Sequence, residues 1–465
     1  MTPFETAGFW HTPDVPSRQV AGTLRYSAED GLRLSLTGSF GEGLAFELKS
    51  GKYPVIHGIV NDSPCGRAFT LVDCFRTKRT VRMPGFATED IRANRAYAGD
   101  DFLSKDALLF DSVSLEPSAL DSWISTTGIS SGFASGAGGQ IGVRYSHADN
   151  VSLVLNGQTL TIGFGATQSQ SHRSYSLRER VSVKIADLGQ LPFEEISRQY
   201  TYPLQNFFTL ATDHPNALDS VVLYHNNPRM TDGGRRSPIH YLAQPIYTFK
   251  EDQEHLQSDD MLFTYEDVRD HLPGVMKRWF EFDRKFHPFC LSFFGLLYAP
   301  NTYVEERFLT LINSIVLFFQ GLDPADETIV DALNEATKTL RSCCSGKNAQ
   351  WLADAMPTTA ELELPWNLRR ALDEHHDIMA PLAGGDLEGF VDHVLVTRKY
   401  CRHRDPAFQE NAAQAAKLYW LTEKLKVLVK TLLLEWLGIP GDLVGRLIKR
   451  NRNYAHLVSL GDSGQ

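Results

Sequence analysis

The sequence lacks the long apolar runs and the leader that would take a protein into or across a membrane. Its longest apolar runs, around Ile315 to Phe319 and Val427 to Leu434, are far shorter than the roughly 20 residues of a membrane-spanning helix. Residues Met1 to Gly8 contain neither the basic nor the apolar region of a secretory signal. We therefore expect a cytoplasmic protein that does not enter a membrane.

The sequence also lacks the usual signatures of disulfides, metal sites and nucleotide cofactors. Its six cysteines form no CxxC pair and no spacing typical of zinc, and no HExxH motif is present. The Gly/Ser tract from Gly128 to Gly139 contains neither GxSxG nor a complete GxGxxG, so we interpret it as a loop. We expect reduced thiols, no metal and no cofactor.

Charge is unevenly distributed along the chain. The whole sequence has a formal net charge of −10, which argues against indiscriminate binding of nucleic acid by its entire surface. Residues 391–465, however, hold 12 Lys or Arg and 7 Asp or Glu. A basic C-terminal part on an acidic body indicates a polyanionic partner at that end.

Residues 1 to about 190 have the pattern of a β-rich domain, with short β-branched or alternating segments between turn signals. The predicted strands are Gly22 to Tyr26, Leu32 to Leu36, Tyr53 to Val60, Ala68 to Phe75, Ala107 to Leu115, Ile141 to Tyr145, Val151 to Leu155, Leu160 to Phe164 and Val181 to Ile185. Asn156-Gly157 predicts a hairpin within the unit from Val151 to Gly165. Strands of this length and spacing indicate an antiparallel sandwich or an open barrel.

The pattern changes to helical periodicity in the C-terminal half, which predicts a helical bundle and an α+β protein overall. The predicted helices are Glu194 to Ala211, Pro273 to Lys285, Val304 to Gln320, Thr328 to Cys343, Asn348 to Ala355, Pro365 to His376, Asp386 to Tyr400, Ala407 to Leu437 and Pro440 to Leu457. We expect a β-rich domain at 1–191, a bridging mixed segment at 192–261 and a helical domain at 262–465.

The stretch from Arg450 to His456 has the composition of a site that cuts RNA without a metal. It reads Arg-Asn-Arg-Asn-Tyr-Ala-His, and no cluster of metal ligands lies near it. A histidine can transfer a proton at neutral pH, and an arginine can hold a phosphate. On one continuous helix Arg450 and His456 would point about 120° apart, whereas Arg452 and His456 would share a face. A basic helix C-terminus on the surface would show the same pattern.

A second basic cluster, residues 398–404, reads Arg-Lys-Tyr-Cys-Arg-His-Arg and is followed by Pro406, which ends the predicted helix. Arg398 and His403 also have the Arg-x4-His spacing, with Lys399 at the place that Asn451 takes in the first element. The cluster is open to three interpretations: a charged helix end, a phosphate-binding patch without chemistry, or a reserve candidate for the catalytic site.

Arg450, Asn451 and His456 resemble the signature motif of HEPN domains, helical ribonuclease modules common in prokaryotic defence systems. That motif is an arginine, a polar residue that is often asparagine, and a histidine a few residues later. The motif here follows a leucine-rich helix, and Glu305 to Leu309 resembles the start of the family's first bundle helix. Arg452-Asn453 repeats the Arg-Asn pair, although the spacing favours Arg450. Family members often carry an acidic residue near the place of Ile315 and Val316.

The N-terminal half resembles the β-rich N-terminal domain of ApeA-type proteins. Five segments occur in a similar order: Gly8-Phe9-Trp10, Gly22-Thr23-Leu24, Gly31-Leu32-Arg33-Leu34, Ile56-His57-Gly58 and Thr70-Leu71-Val72-Asp73-Cys74. The resemblance to ApeA-like HEPN proteins therefore covers most of the chain.

This resemblance implies a metal-independent endoribonuclease of an anti-phage abortive-infection system. His456 would act as general base or acid while a ribose 2′-OH attacks the adjacent phosphate. Arg450 would stabilise the charge that develops on that phosphate, and Asn451 would orient the pair. Flanking phosphates would contact five further cations: Lys449, Arg452, Arg398, Arg402 and Arg404.

The resemblance also implies partners. RNA would be the substrate, with tRNA and rRNA as candidates, and an unpaired loop or end is favoured over a duplex. A homodimer through the helical domain would bring two copies of Arg450 and His456 into one cleft. The N-terminal domain would regulate the nuclease in response to a phage-derived trigger.

Two functions of other classes remain open from the sequence. The helical domain could be a non-catalytic HEPN module that dimerises or binds RNA. Alternatively, the N-terminal domain could bind glycans on Trp10 and Trp123 as aromatic platforms, with the helical domain docking a partner protein.

Overall fold

The computed structural model divides the chain into two compact units, one of residues 1–208 and 215–256 and the other of 209–214 and 257–465. It describes residues 3–41, 51–81, 84–99, 102–103, 108–134, 140–225, 231–232, 235–245, 247, 256–322, 335, 338–339 and 359–462. The division predicted from the sequence, with a bridging segment at 192–261, stays a prediction.

The first unit is built mainly from antiparallel strands. They are β1 (Phe4–His11), β2 (Val20–Ser27), β3 (Gly31–Leu36), β4 (Lys52–Val60), β5 (Ala68–Val81), β6 (Ala87–Gly99), β7 (Leu109–Phe110), β8 (Ser112–Pro117), β9 (Ile129–Ala134), β10 (Gln140–Tyr145), β11 (Val151–Leu155), β12 (Gln158–Gln170), β13 (Tyr175–Ala186), β14 (Leu191–Pro192), β15 (Leu218–Tyr224), β16 (Thr231–Asp232), β17 (Arg235–Arg236) and β18 (Ile239–Ala243).

The first six strands close into a barrel. The strand order is β6-β3-β2-β1-β4-β5, and β5 pairs with β6 again, so these six strands leave no edge between them. Its interior holds Trp10, Leu24, Ile56, Phe69 and Leu71, all fully buried. The far half of β6 pairs with β18, and the sheet continues through β15, β8, β13, β12 and β11. The barrel-like domain expected from the sequence is confirmed.

The hairpin predicted at Asn156-Gly157 is confirmed. Both residues have positive φ, as a two-residue type I′ turn requires, and Leu155 pairs with Gln158 across it. The Gly/Ser tract is different: we expected a loop from Gly128 to Gly139, but Ile129–Ala134 is a strand paired with Gln140–Tyr145. Hydrogen bonds between the backbones of the two strands determine this conformation, although the Gly and Ser side chains do not favour a strand. Residues 135–139 lie outside the described residues.

The interpretation of Trp10 and Trp123 as aromatic platforms for glycans is wrong. Trp10 and Trp123 are both 0% exposed, so neither ring can stack on a sugar. Trp10 fills the barrel and donates from Nε1 to the Gly22 carbonyl at 3.2 Å. Trp123 packs against Phe207 and Phe208. Both indoles belong to the hydrophobic core.

Gly58 is a position at which the barrel has no room for a side chain. It lies opposite Trp10 in the β1–β4 register, and a Cβ there would overlap the indole ring. Gly58→Ala is expected to lower the free energy of unfolding by about 2 to 3 kcal/mol through overpacking, measured by urea titration. Gly165→Ala is the control, because open space surrounds a Cβ at that strand position. Equal losses in both variants would show that strand glycine itself, not overlap with Trp10, sets the cost.

Helices form most of the second unit and a smaller part of the first. They are α1 (Leu120–Ile124), α2 (Phe193–Ile196), a π-helical turn (Ser197–Thr201), α3 (Tyr202–Thr212), α4 (Tyr265–Val268), α5 (Leu272–Lys285), α6 (His287–Tyr298), α7 (Val304–Leu322), α8 (Thr359–Glu374), α9 (His376–Leu382), α10 (Leu387–His403), a 3-10 turn (Pro406–Phe408), α11 (Ala415–Trp436), α12 (Gly441–Arg450) and α13 (Arg452–Asp462).

An aromatic cluster on α5, α6, α7 and the residue between α5 and α6 is buried in the second unit. Its rings stack or meet edge to face at centroid distances of 4.5 to 6.2 Å. The members include Trp279, Phe282, Phe286, Phe289, Phe293 and Phe318. The predicted apolar stripe of α11 also faces the core, since Leu418, Leu421, Leu425 and Leu428 are buried.

Two of the long predicted helices differ from the structure. The helix expected from Ala407 begins at Ala415, because residues 406–408 form a 3-10 turn and the Ala413 amide is held by Thr397. The helix expected from Pro440 to Leu457 is interrupted at Asn451, where ψ is 129°. The helices predicted at Thr328 to Cys343 and Asn348 to Ala355 fall largely outside the described residues.

Candidate functional site

Asn451 separates the two last helices and begins the second of them. Its side-chain oxygen accepts hydrogen bonds from the backbone N–H groups of Asn453 at 3.0 Å and Tyr454 at 3.4 Å. This is the N-cap arrangement that asparagine favours, because it satisfies amides left without partners in the first helical turn. Arg450 is consequently the last residue of α12, and His456 lies on α13. The angle of 120° expected for one continuous helix does not apply.

The side-chain amide of Asn451 is also held by hydrogen bonds to other segments. It is 4% exposed, and its amide nitrogen lies within 3.4 Å of the carbonyls of Met261 and Asp260 and of the Asp213 carboxylate. Asp213 in turn accepts from Lys430 on α11 at 2.5 Å and from Asn453. A single buried side chain thus fixes the start of α13 to two preceding segments of the same unit.

Arg450 is held by a carboxylate that sequence reasoning did not identify. Its Nη1 and Nη2 donate to the two oxygens of Asp267 at 2.8 and 2.6 Å, which is a bidentate pair. Asp267 also closes the capping box of α4 with Thr264. Burial alone would raise the pKa of Asp267, but the hydrogen bonds from Arg450 and Thr264 outweigh it and hold that pKa below its usual range.

Asp267→Asn is expected to lower the free energy of unfolding at neutral pH by about 1 to 3 kcal/mol, because the variant loses a charge-assisted pair. The folded-state pKa of Asp267 is lowered, so its stabilisation is complete above the unfolded-state value of about 3.9 and is lost as the pH falls through the folded-state pKa. Wild type and variant should therefore converge in acid. Urea titrations at several pH values test this, with exposed Asp270→Asn as control; a gap independent of pH would contradict it.

Arg452 and Lys449 point to other acidic partners. Arg452 pairs with Asp259 through Nε at 2.8 Å and with Asp260 through Nη1 at 2.9 Å. Lys449 pairs with Asp377 on α9 at 2.9 Å. Each cation of the motif is therefore matched by a carboxylate in this structure. An anionic ligand would have to displace these carboxylates or share the cations with them.

His456 has a different environment. Its side chain is exposed on α13, and its ring meets the edge of Trp420 on α11 with centroids 5.5 Å apart. Among the residues that the structure describes, no hydrogen bond joins His456 to Arg450. The motif therefore combines an ion-paired arginine, a buried asparagine and an exposed histidine.

The second basic cluster lies on α10. Arg404 is the left-handed residue that ends this helix, and it pairs with Glu305 at the start of α7. Arg398 and Arg402 line a cavity of about 440 Å³ with Asn313, Gln320 and apolar residues of α7. His403 is exposed at the end of α10. Where the resemblance led us to look for an acidic residue, Ile315 and Val316 are buried apolar side chains.

Sequence reasoning missed Asp213 and Asp267 as partners of the motif. Thr264-Tyr265-Glu266-Asp267 has the pattern of a capping box, which could have located the start of a helix. Nothing in that pattern names Arg450, which lies far along the chain. Only the fold brings the two side chains together.

Comparison with protein families decides which family the chain represents. Residues 5–279, more than half of the chain, match the ApeA N-terminal domain 1, and residues 310–443 match the Apea-like HEPN domain. The chain belongs to the ApeA-like HEPN family. No curated protein and no solved structure matches it significantly. The family assignment supports a HEPN nuclease-type defence protein as its class.

Only some residues of the site lie inside the two family matches. Asp213 and Asp267 lie inside the ApeA N-terminal domain match, whereas Arg450 and His456 follow the end of the HEPN match at residue 443. In the part of this ApeA-like chain that the structure describes, no group of three His, Cys, Asp or Glu side chains could hold a metal ion. None of its described helices is long and apolar enough to span a membrane.

Proposed function

We propose that this ApeA-like HEPN protein is a metal-independent endoribonuclease whose site is formed by Arg450, Asn451 and His456. One observation carries the proposal: a buried asparagine joins the end of one bundle helix to the start of the next, with the arginine before it and an exposed histidine after it. The HEPN family match supports this choice, because HEPN domains are commonly ribonucleases.

In the proposed reaction the ribose 2′-oxygen forms a bond to the adjacent phosphorus, and the bond from phosphorus to the 5′-oxygen breaks. The 2′-OH gives its proton to a base, and the leaving 5′-oxygen receives one from an acid. His456 performs one of these transfers. Arg450 binds the non-bridging phosphate oxygens and stabilises the additional charge, a task suited to its planar fork of donors.

The phosphates of RNA have to compete with aspartate carboxylates for the arginines of the motif. Asp267 presents two oxygens to Arg450 in the geometry in which a phosphate would bind, and Asp259 and Asp260 each present one oxygen to Arg452. Phosphate binding therefore requires these pairs to open or to be shared. Lys449, Arg398, Arg402 and Arg404 contact flanking phosphates in this proposal.

A homodimer through the helical domain completes the site. Two copies of His456 in one cleft would supply the base and the acid, which a single histidine cannot be at once. The β-rich unit would respond to a phage-derived trigger, and cleavage of tRNA or rRNA would stop translation in the infected cell. Supporting evidence is the combination of ApeA N-terminal and HEPN domains in one chain.

Cleavage of total RNA by the purified chain, followed on denaturing gels with and without EDTA, tests the proposed activity. Fragments should accumulate equally in both conditions. Their abolition by EDTA in the wild type would contradict metal-independent cleavage.

Arg450 and Arg452 can be distinguished by substitution. Arg450→Ala is expected to lower the cleavage rate about 10²- to 10³-fold, as does loss of a donor that stabilises transition-state charge. Arg452→Ala should cost less than about tenfold, because it removes one exposed phosphate contact. The double variant Arg450→Ala, Asp267→Ala is the control, since it removes the carboxylate left without its partner; it also loses the capping box of α4, and at a temperature at which it is folded it should stay inactive. A larger loss in Arg452→Ala would reassign the catalytic arginine.

The alternative is a non-catalytic HEPN module that dimerises or binds RNA. The bidentate pair between Arg450 and Asp267 favours it, since this arginine already has a structural role, as do the apolar Ile315 and Val316. RNA binding and phage protection that persist in the Arg450 and His456 variants would establish this alternative.

A further inference from the structure

Two aromatic rings on α11 lie beside the candidate catalytic histidine. The ring of His456 meets that of Trp420 with centroids 5.5 Å apart, and Trp420 meets Tyr419 edge to face at 4.8 Å. Tyr419 is 41% exposed, His456 is exposed, and Trp420, which contacts both, is half-buried. Aromatic rings at a protein surface are the groups on which unpaired bases stack in proteins that bind single strands.

Two lysines flank Trp420 on the same face of α11. Lys417 precedes it by three residues and Lys424 follows it by four, and these spacings make side chains neighbours on a helix. Lys417 is exposed and Lys424 is half-buried. The indole is therefore bordered by positive charge in both directions along the helix.

These two lysines differ from other cations nearby in having no carboxylate partner. Lys426, on another face of α11, pairs with Glu423 at 2.8 Å. Among the residues that the structure describes, no carboxylate forms an ion pair with Lys417 or Lys424. The three cations of the motif are each paired with an aspartate. A phosphate could therefore bind to Lys417 or Lys424 without displacing an acidic side chain.

Helix α10 contributes a histidine to the same face. Burial lowers the pKa of His393, and the charges of Lys417 and Lys424 lower it further. The imidazole is therefore neutral at neutral pH and close enough to both ammonium groups to experience their charge. A neutral imidazole can donate or accept a hydrogen bond with a base or a ribose.

We propose that Lys417, Trp420 and Lys424 form a platform that binds an unpaired stretch of RNA beside His456. One base stacks on the indole, and the two ammonium groups bind phosphates on either side of that nucleotide. A base within a duplex is stacked on its neighbours, so the substrate class is a single-stranded loop or end. The ring contact with His456 places the bound nucleotide next to the proposed proton-transfer group.

The three side chains are positioning residues, since they bind the strand and leave the chemistry to the motif. Their role in cleavage rests on the proposed ribonuclease, whereas RNA binding by the platform can be measured separately. A strand without a 2′-OH separates the two, because it can bind but cannot undergo the proposed reaction.

Binding of a 2′-O-methyl oligonucleotide of roughly ten nucleotides to the full-length chain, followed by fluorescence anisotropy, tests the platform. Trp420→Ala should weaken binding about tenfold, within the range of base stacking on an aromatic ring, and Trp420→Phe should restore most of it. A strand of the same length that carries no bases should bind the wild type and Trp420→Ala equally. A loss caused by misfolding or by altered assembly would weaken the binding of both strands.

The salt dependence of the same dissociation constant tests the lysines. Lys417→Gln and Lys424→Gln should each lower the slope of log Kd against log salt by about 0.7, the value for one phosphate contact to a single strand. Lys277→Gln removes an exposed lysine of α5 and should leave the slope unchanged. Trp366→Ala removes an indole that is 60% exposed on α8 and should leave the affinity unchanged.

Melting temperatures establish that each variant is folded, and Trp420→Phe with the lysine variants keeps the test decisive if Trp420→Ala is not. The platform is overturned if the wild type does not bind the 2′-O-methyl strand. Equal losses in Trp420→Ala and Trp366→Ala would also overturn it, as would weaker binding of the base-free strand by Trp420→Ala than by the wild type.

Failure of the proposed ribonuclease gives a different result. If the strand binds as expected but the wild type cleaves no RNA, the platform stands and the nuclease does not. If the wild type cleaves RNA, Trp420→Ala should raise KM about tenfold with little change in kcat, because stacking contributes equally to the ground state and the transition state. An unchanged KM in this variant would overturn the platform and leave the nuclease in place.

Discussion

Replacing His456 by alanine is expected to slow RNA cleavage about 10²- to 10⁴-fold, the usual contribution of a general acid or base. The melting temperature should change little, because the side chain is exposed and, among the described residues, its ring contact is with the edge of Trp420. Initial rates on a defined RNA, measured with wild type and variant at equal concentration, give the comparison. His456→Gln should be as slow as His456→Ala, since glutamine retains hydrogen bonding but cannot transfer the proton.

His403→Ala is the matched control for this experiment. His403 is also an exposed histidine near the end of a basic helix, and it belongs to the reserve candidate site. Growth of cells expressing each protein at matched levels, with and without phage, together with gels of their tRNA and rRNA, extends the test. If only His403→Ala loses activity, the site belongs to residues 398–403. If both variants behave like an active wild type, neither histidine is catalytic.

Asn451→Ala is expected to lower the free energy of unfolding by about 2 to 3 kcal/mol. The substitution removes the N-cap of α13, worth about 1 kcal/mol, and leaves buried carbonyls without their amide donor. Urea titration measures the loss. Asn453→Ala is the matched control, because Asn453 contacts the same Asp213 but is exposed, and it should cost no more than about 0.5 kcal/mol.

The same variants separate a structural role of Asn451 from a catalytic one. Asn451→Asp retains an oxygen for the cap but replaces the amide donor by a carboxylate beside the Asp213 carboxylate and the Asp260 backbone carbonyl. We expect it to be destabilised as well. At a temperature at which all variants are folded, a purely structural role predicts cleavage rates within about tenfold of the wild type, whereas a larger deficit would assign Asn451 to the chemistry.

Local signals explain the parts of the fold that could be predicted. Asn156-Gly157 specifies its own turn because both residues accept positive φ, and Gly438 followed by Pro440 marks the end of α11 and the start of α12. The spacing of the leucines in α11 predicts directly which face of the helix is buried. In each case the residues that determine the structure are close together in the sequence.

Long-range contacts explain the parts that could not. Strand β6 has charged residues along its length and buries alanines such as Ala93 and Ala96, which have low β-propensity, so pairing with β3 and β5 makes it a strand. Helix α6 is apolar on nearly every side, which conceals its helical period. The break at Asn451 depends on carbonyls of Asp260 and Met261, and the partner of Arg450 is Asp267.

The break at Asn451 also determines how the motif can vary among related sequences. Arg450 is positioned by α12 and Asp267, whereas the direction of His456 is set by a helix that starts anew at its own cap. Inserting or deleting a residue between positions 453 and 455 would rotate the histidine by about 100° and leave the arginine in place. A relative with the same arginine environment but a different gap length would therefore present its histidine in another direction, so the number of residues after the asparagine sets where the histidine points.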